Sequence, residues 1–333
     1  MSSPIRLALA AFIGLLALPA FAQSPTLTIY TYDDFAAEWG PAPGLKAGFE
    51  ATCGCTLNFV GVDSSIGALR RAQLEGDSTK ADIILGLDTS IAEEARQTGL
   101  FADHGVDTSA LSVPGDWQAA DFVPFDYSYF AFVYNKETLP NPPTSFEELI
   151  AADKDLKIAL QDPRSSTPGL GLVLWIKAAY GDRAPEIWKG LAPHILTVAK
   201  SWSDAYALLL SGEADMALSY TTSPAYHMIA EDDDRYLAAP FSEGYYLQVE
   251  IAGILKSSKN RDLARDFLAY LITPEAQGII PTTNWVYPVA ELPDGLPAAF
   301  DTLIKPEPVL LLDDKLVDEK SNEWIAEMFE AIQ

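Results

Sequence analysis

Phe122-Val123-Pro124-Phe125-Asp126-Tyr127-Ser128-Tyr129-Phe130-Ala131-Phe132-Val133-Tyr134 is a long run of aromatic and β-branched residues with few polar interruptions. Such a run reads as a long extended segment. A second run of the same character spans Tyr245 to Ile254. Between and around them strands alternate with helices. Leu27 to Tyr32 alternates with period two and reads as a strand, followed by helix near Gly44 to Glu50 and strand at Thr56 to Val60. Helix at Ile66 to Gln73 and an apolar strand at Ala81 to Leu85 continue the pattern. Later, Lys157 to Leu160 and Met216 to Tyr220 read as strands, Thr144-Ser145-Phe146-Glu147 as a capping box, and Arg261 to Leu271 and Lys315 to Gln333 as helices. Alternation at this spacing predicts parallel α/β sheet. If the two long runs cross between lobes, the fold is α/β with two lobes joined by extended hinge strands and a cleft between them. Lobe one then comprises residues 23–125, lobe two 126–249, and the return segment 250–333 rejoins lobe one.

The start of the chain suggests where this fold works. Arg6 precedes an apolar run, Leu7 to Phe21, ending in Ala20-Phe21-Ala22. A basic start, a short apolar core and small residues at the last and third-last positions predict a secretory signal at 1–22, cleaved after Ala22. The run is too short for a stable membrane span. The expected location is periplasmic. The 22 Lys and Arg against 47 Asp and Glu give −25, and removal of Arg6 makes this −26. Such a field repels nucleic acid and anionic headgroups and draws in cations.

Cys53 and Cys55 form Cys-Gly-Cys. They can pair, pinning a local turn before a strand, or remain free thiols. A metal site lacks partners, because His104, His194 and His227 are scattered and there is no second cysteine pair. No nucleophile elbow, zinc-type histidine pair, phosphate loop or dinucleotide fingerprint occurs. No cofactor and no catalytic residue are expected.

Binding chemistry gathers at strand-to-helix junctions, where ligands enter open α/β sheets. Ser166 and Thr167, followed by Pro168, open a helix reaching Tyr180, and N–H groups there can hold an anion. Tyr220-Thr221-Thr222-Ser223-Pro224-Ala225-Tyr226 repeats the design, and Ser64-Ser65 is a third polar turn. Aromatics cluster nearby: Tyr32, Trp39, Trp202, Tyr226 and Trp285. Their faces suit a flat cation, each contributing roughly 0.5–2 kcal/mol. Trp175 and Trp188 fall within helices and are assigned to packing.

These residues together resemble the periplasmic thiamine-binding proteins of bacterial ABC-type thiamine uptake systems, across nearly the whole mature chain. The resemblance rests on Thr28 to Asp33 with Trp39-Gly40-Pro41, Ala81 to Asp88, Phe122 to Tyr127, Gln161 to Arg164 with Thr167 to Leu172, Leu218 to His227, and Ile280-Pro281-Thr282 with Asn284-Trp285. It implies a type II periplasmic-binding fold. The implied ligand is thiamine, thiamine monophosphate or thiamine diphosphate, passed by a monomeric carrier to an ABC permease. Family ligand contacts fall on Ser64, Ser65, Ser166, Thr167, Trp202 and Tyr220 to Ser223. The chain departs from the family at Ser64-Ser65, which replaces an Asp-Gly pair, so its phosphate preference can differ. The Cys-x-Cys pair also matches the family, which implies a structural role.

Other readings compete. Adjacent tyrosines, here Tyr245-Tyr246, bind ferric iron as phenolates in some exported proteins, although strand alternation points two neighbours in opposite directions. A polyamine is another cationic ligand. A thiamine-degrading transferase of this general fold needs a cysteine nucleophile, and only Cys53 and Cys55 are available.

Overall fold

The structure is a computed structural model, and it describes residues 24–333. The expected signal at 1–22 lies outside the described residues. Among the described residues no helix is long and apolar enough to cross a membrane.

The strands are β1 (Thr26–Tyr32), β2 (Thr56–Val62), β3 (Ile83–Asp88), β4 (Phe101–Ala102), β5 (Val123–Asn135), β6 (Ile158–Gln161), β7 (Ile195–Ala199), β8 (Met216–Tyr220), β9 (Tyr236–Ala238), β10 (Tyr245–Leu255), β11 (Tyr287–Pro288) and β12 (Val309–Leu310). The main sheet runs β2-β1-β3-β10-β5-β8-β6-β7. Its two ends are parallel, β2-β1-β3 and β8-β6-β7. In the middle β10 is antiparallel to both β3 and β5, and β5 is antiparallel to β8. The two long runs are therefore the seam. β5 pairs with β10 over Val123 to Tyr129 and with β8 over Phe130 to Tyr134, so one strand serves both half-sheets. All residues of β10 are buried, and nearly all of β5, which is why neither shows the alternation of a half-solvated strand.

Each half-sheet has an apolar cluster of its own, and a larger one runs continuously from Tyr30, Leu69 and Ile84 to Phe132 and Trp175. In lobe one Leu27, Ile29, Leu57, Ile83 and Phe125 meet the helices Ala42–Cys53 and Arg261–Leu271. The second helix buries Ala264, Phe267, Leu268 and Leu271, the i, i+3, i+4, i+7 stripe of an amphipathic helix. In lobe two an aromatic cluster forms around Phe146, whose ring lies 4.9 Å from Trp175 and 5.0 Å from Phe241, both edge-on. Trp175 and Trp188 are fully buried there.

Three details differ from expectation. β7 escapes sequence reading because it is a short edge strand whose residues are mostly half-exposed, leaving no continuous apolar run. The helix Phe146–Ala151 is capped by Ser145, whose Oγ accepts from the Glu148 N–H at 2.9 Å, while Glu148 accepts from the Thr144 N–H at 2.8 Å. The reciprocal cap thus sits one residue later than the Thr144–Glu147 pattern suggests. The last stretch of chain serves both lobes: Phe300 and Leu303 pack on Ala225, and helix Asp314–Ala331 touches Thr167–Tyr180 and Ala184–Leu191 on one side and Ala92–Gln97 on the other.

Candidate functional site

The C-terminal ends of β1, β2, β6 and β8 and the starts of the helices that follow them open on one cavity of about 1770 Å³ between the lobes. Drug-sized pockets are roughly 300–1,000 Å³. The space therefore exceeds what one small ligand fills.

Of the thirteen residues expected at the site, Tyr32, Trp39, Ser64, Ser65, Ser166, Thr167, Trp202, Tyr220, Ser223, Tyr226 and Trp285 line this cavity. Thr221 and Thr222 do not. Both are fully buried, and Thr222 Oγ1 is within 3.0 Å of Ser128 Oγ. The turn after β8 directs these two side chains into the protein, so the hydroxyl cluster is split between cavity and core.

Lobe one supplies Tyr32 at the end of β1. Gly86 stands behind it at φ 89°, and a Cβ there would sit 2.5 Å from the Tyr32 ring. Only glycine accepts both that backbone and that approach. Ser64 caps helix Ser65–Glu75, its Oγ accepting from the Gly67 N–H at 3.2 Å. Trp285 has φ 60°, a left-handed conformation that is a genuine outlier for a bulky residue. Its N–H donates to Ile280 O at 3.1 Å, and its ring meets Tyr226 of the opposite lobe edge-on at 5.3 Å.

Lobe two supplies Trp202, the first residue of helix Trp202–Leu210. Its indole N–H donates to Ser219 Oγ at 2.8 Å, and Ser219 Oγ lies 2.7 Å from Ser223 Oγ. Behind it the rings stack in a column: Tyr206 at 5.0 Å from Trp202, then His227 and Tyr236. The column leaves Trp202 little rotational freedom. Ser166 precedes helix Thr167–Tyr180 but makes no capping bond, so its hydroxyl is uncommitted. Thr167 Oγ1 instead donates across the cleft to Asp88 Oδ2 at 3.0 Å.

The electrostatics are one-sided. Each cation lining the cavity already has an acidic partner: Arg70 with Glu94, Arg71 with Glu75, Arg164 with Asp162, and Lys200 with Asp63 at 2.8 Å across the mouth. Two carboxyl groups missed by sequence reading, Asp126 and Glu250, form the floor. They are cross-strand partners on β5 and β10, and Asp126 is fully buried. Asn284 Nδ2 donates to Asp126 Oδ2 at 2.8 Å, and Gln248 Nε2 to Glu250 Oε1 at 3.3 Å. Burial pushes Asp126 up to about 8, and burial followed by the Asp126 charge holds Glu250 well above the usual carboxylate range. Burial also raises Asp88, against the bonds from Ser90 and Thr167. The signal in the sequence was a charged residue inside each apolar run, since carboxylates are almost never buried without a partner.

The residues invoked for other chemistries lie elsewhere. Tyr245 and Tyr246 are buried in the packed interior, where the Tyr245 hydroxyl donates to Ala239 O and the Tyr246 hydroxyl accepts from the Leu312 N–H. Among the described residues no group of three or more His, Cys, Asp or Glu is placed to hold a metal ion. Cys53 and Cys55 are joined in a disulfide in the turn before β2, outside the residues lining the cavity.

Comparison with known proteins agrees with this architecture. The family described as bacterial extracellular solute-binding protein matches residues 24–278. The thiamine-binding periplasmic protein of Salmonella typhimurium is 51% identical over 318 residues, covering 96% of each chain. The thiamine-binding periplasmic protein of Escherichia coli is 50% identical, covering 94% of this chain and 95% of its own. A solved structure, a periplasmic thiamin binding protein, superposes with a TM-score of 0.90 at 50% identity, covering 93% of this chain and 97% of its own. The type II periplasmic-binding fold implied by the sequence is thus the fold observed. The chain belongs to the bacterial extracellular solute-binding proteins, in the family that includes these thiamine-binding periplasmic proteins.

Proposed function

We propose that the protein captures thiamine in the periplasm and delivers it, chemically unchanged, to the permease of an ABC uptake system. The observation that carries this reading is the pairing of aromatic faces, Tyr32, Trp202, Tyr226 and Trp285, with a floor of two carboxyl groups that have no cationic partner among the described residues. Thiamine is a flat aminopyrimidine joined to a permanently charged thiazolium. Indole and phenol faces suit both rings, and the acidic floor suits the charge. The thiamine-binding names of relatives at about half identity support the same ligand.

The mono- and diphosphate belong to this proposal as further ligands. Ser166, with its free hydroxyl at the start of a 14-residue helix, together with Ser64, Ser65, Thr167 and Ser223 around the junctions, is the set we assign to the phosphate end. The excess of carboxylates along the walls favours thiamine and its monophosphate over the diphosphate. Capture needs no cofactor, and the carrier acts as a monomer. Export by a signal at 1–22 and lobes at 23–125 and 126–249, with a return from 250 whose final helix bridges both, complete the proposal.

Calorimetric titration with thiamine, its monophosphate and its diphosphate tests it, followed by chromatography of the recovered ligand. Binding of thiamine with intact recovery is expected. No heat with any of the three, on folded and ligand-free protein, overturns the reading, and cleaved pyrimidine would establish a transferase instead.

A further inference from the structure

The floor of the cavity is built in a way that an ordinary hydrogen-bonded pocket is not. Asp126 and Glu250 face each other across β5 and β10, and among the described residues no Lys, Arg or His pairs with either. Two adjacent carboxylates in a dry site cannot both stay ionised without a nearby positive charge. Two buried acceptors at this floor have no partner, Asp126 Oδ1 and Gln248 Oε1. The Tyr32 hydroxyl sits 3.0 Å from Glu250 Oε2 and 3.1 Å from Asn284 Oδ1. One hydroxyl hydrogen cannot serve both. The bonds close if Glu250 carries a proton and donates it in a hydrogen bond to the Tyr32 oxygen, whose own hydrogen then reaches Asn284, or, with the Asn284 amide turned over, if Asp126 carries it; either way the floor holds a proton.

We infer that Asp126 and Glu250 are the cation anchor of the ligand site, and that the ligand's positive charge takes the place of a proton held there. This rests on the reading of thiamine as ligand and adds which residues recognise its charge and what leaves when it binds. The balance is simple: the protonated floor plus the cationic ligand gives the ionised floor with ligand bound plus one free proton. The groups facing the pair are Tyr32 from β1, Asp88 from β3, Tyr220 from β8, Gln248 from β10 and Asn284 from the turn before β11. None of them can supply a positive charge. The ligand must.

The sign follows. Because a proton leaves as the cation enters, binding tightens as pH rises, until the floor is already ionised in the free protein. Calorimetry with thiamine in two buffers of different ionisation heat counts the protons released. For the wild type, up to about one proton per thiamine is expected near neutral pH, with affinity rising across pH 6 to 8. E250Q and D126N keep side-chain size, and each should weaken thiamine at least tenfold and lower the proton count. A role in packing alone would leave the buffer dependence unchanged. Should E250Q not fold, D126N and the wild-type pH profile decide the matter. Wild-type heats that do not depend on buffer, or variants that bind within twofold of wild type, overturn this inference while leaving thiamine capture standing. A wild type that takes up no thiamine overturns both.

Discussion

Replacing Trp202 by alanine removes an aromatic face that the fold holds in place from three directions. The indole N–H is bonded to Ser219 at 2.8 Å, one face lies on Tyr206 at 5.0 Å, and the residue opens its helix at the cavity wall. A cation over a tryptophan in a site largely shielded from water is stabilised by about 2 kcal/mol, close to thirtyfold in affinity. Stability should fall too. Losing one hydrogen bond and one stacked pair costs about 1–3 kcal/mol together, and Ser219 keeps a partner in Ser223 at 2.7 Å, which limits the damage. Trp202→Phe separates the two contributions. It keeps a ring and loses the N–H, so it should cost about 1 kcal/mol of stability while thiamine binding falls less than fivefold. Affinities from calorimetry and stabilities from urea unfolding provide both readings. A stable Trp202→Ala protein that binds thiamine within twofold of wild type would remove the indole from the ligand surface. Equal losses of affinity in the alanine and phenylalanine variants would show that the Ser219 bond, not the ring face, matters.

Replacing Ser166 by alanine and Thr167 by valine together should weaken the phosphorylated ligands more than thiamine itself, because the uncommitted hydroxyl and helix N-terminus suit an anion. Equal weakening of all three forms, measured by calorimetry, would dismiss the phosphate assignment. Serines at Cys53 and Cys55 open a very small ring, so unfolding free energy should drop by no more than about 2 kcal/mol, with thiamine affinity unchanged. A large loss of affinity would tie that turn to the site. In the ligand-free protein the raised carboxyls Asp126 and Glu250 hold protons more tightly when folded than when unfolded. Their contribution is therefore complete below the unfolded values near pH 4 and fades as pH rises through the folded ones, about 8 for Asp126. Urea midpoints should decline over that window in wild type and less in E250Q or D126N. A midpoint equally flat in all three would contradict the buried acidic floor.

Much of this protein is legible in the primary structure because its signals are local. The strands β5 and β10 announce themselves as long, mostly apolar runs without period-two alternation, since covering both faces of a strand abolishes it. The junction hydroxyls and prolines mark helix starts, where unsatisfied N–H groups demand particular residues. Those signals predicted a two-lobed α/β protein with a polar and aromatic cleft. They fall short where the outcome depends on what a residue meets from far along the chain. Asp126 and Glu250 become one floor only through the register of β5 on β10, and Trp285 reaches Tyr226 only when the lobes face each other. Thr221 and Thr222 sit in the same hydroxyl cluster as Ser223, yet the turn after β8 sends them inward and leaves Ser223 at the cavity. Chemistry and periodicity are properties of a segment and survive in its letters. Side-chain direction at a turn and partnership across a sheet are set by packing, so the tertiary structure decided them.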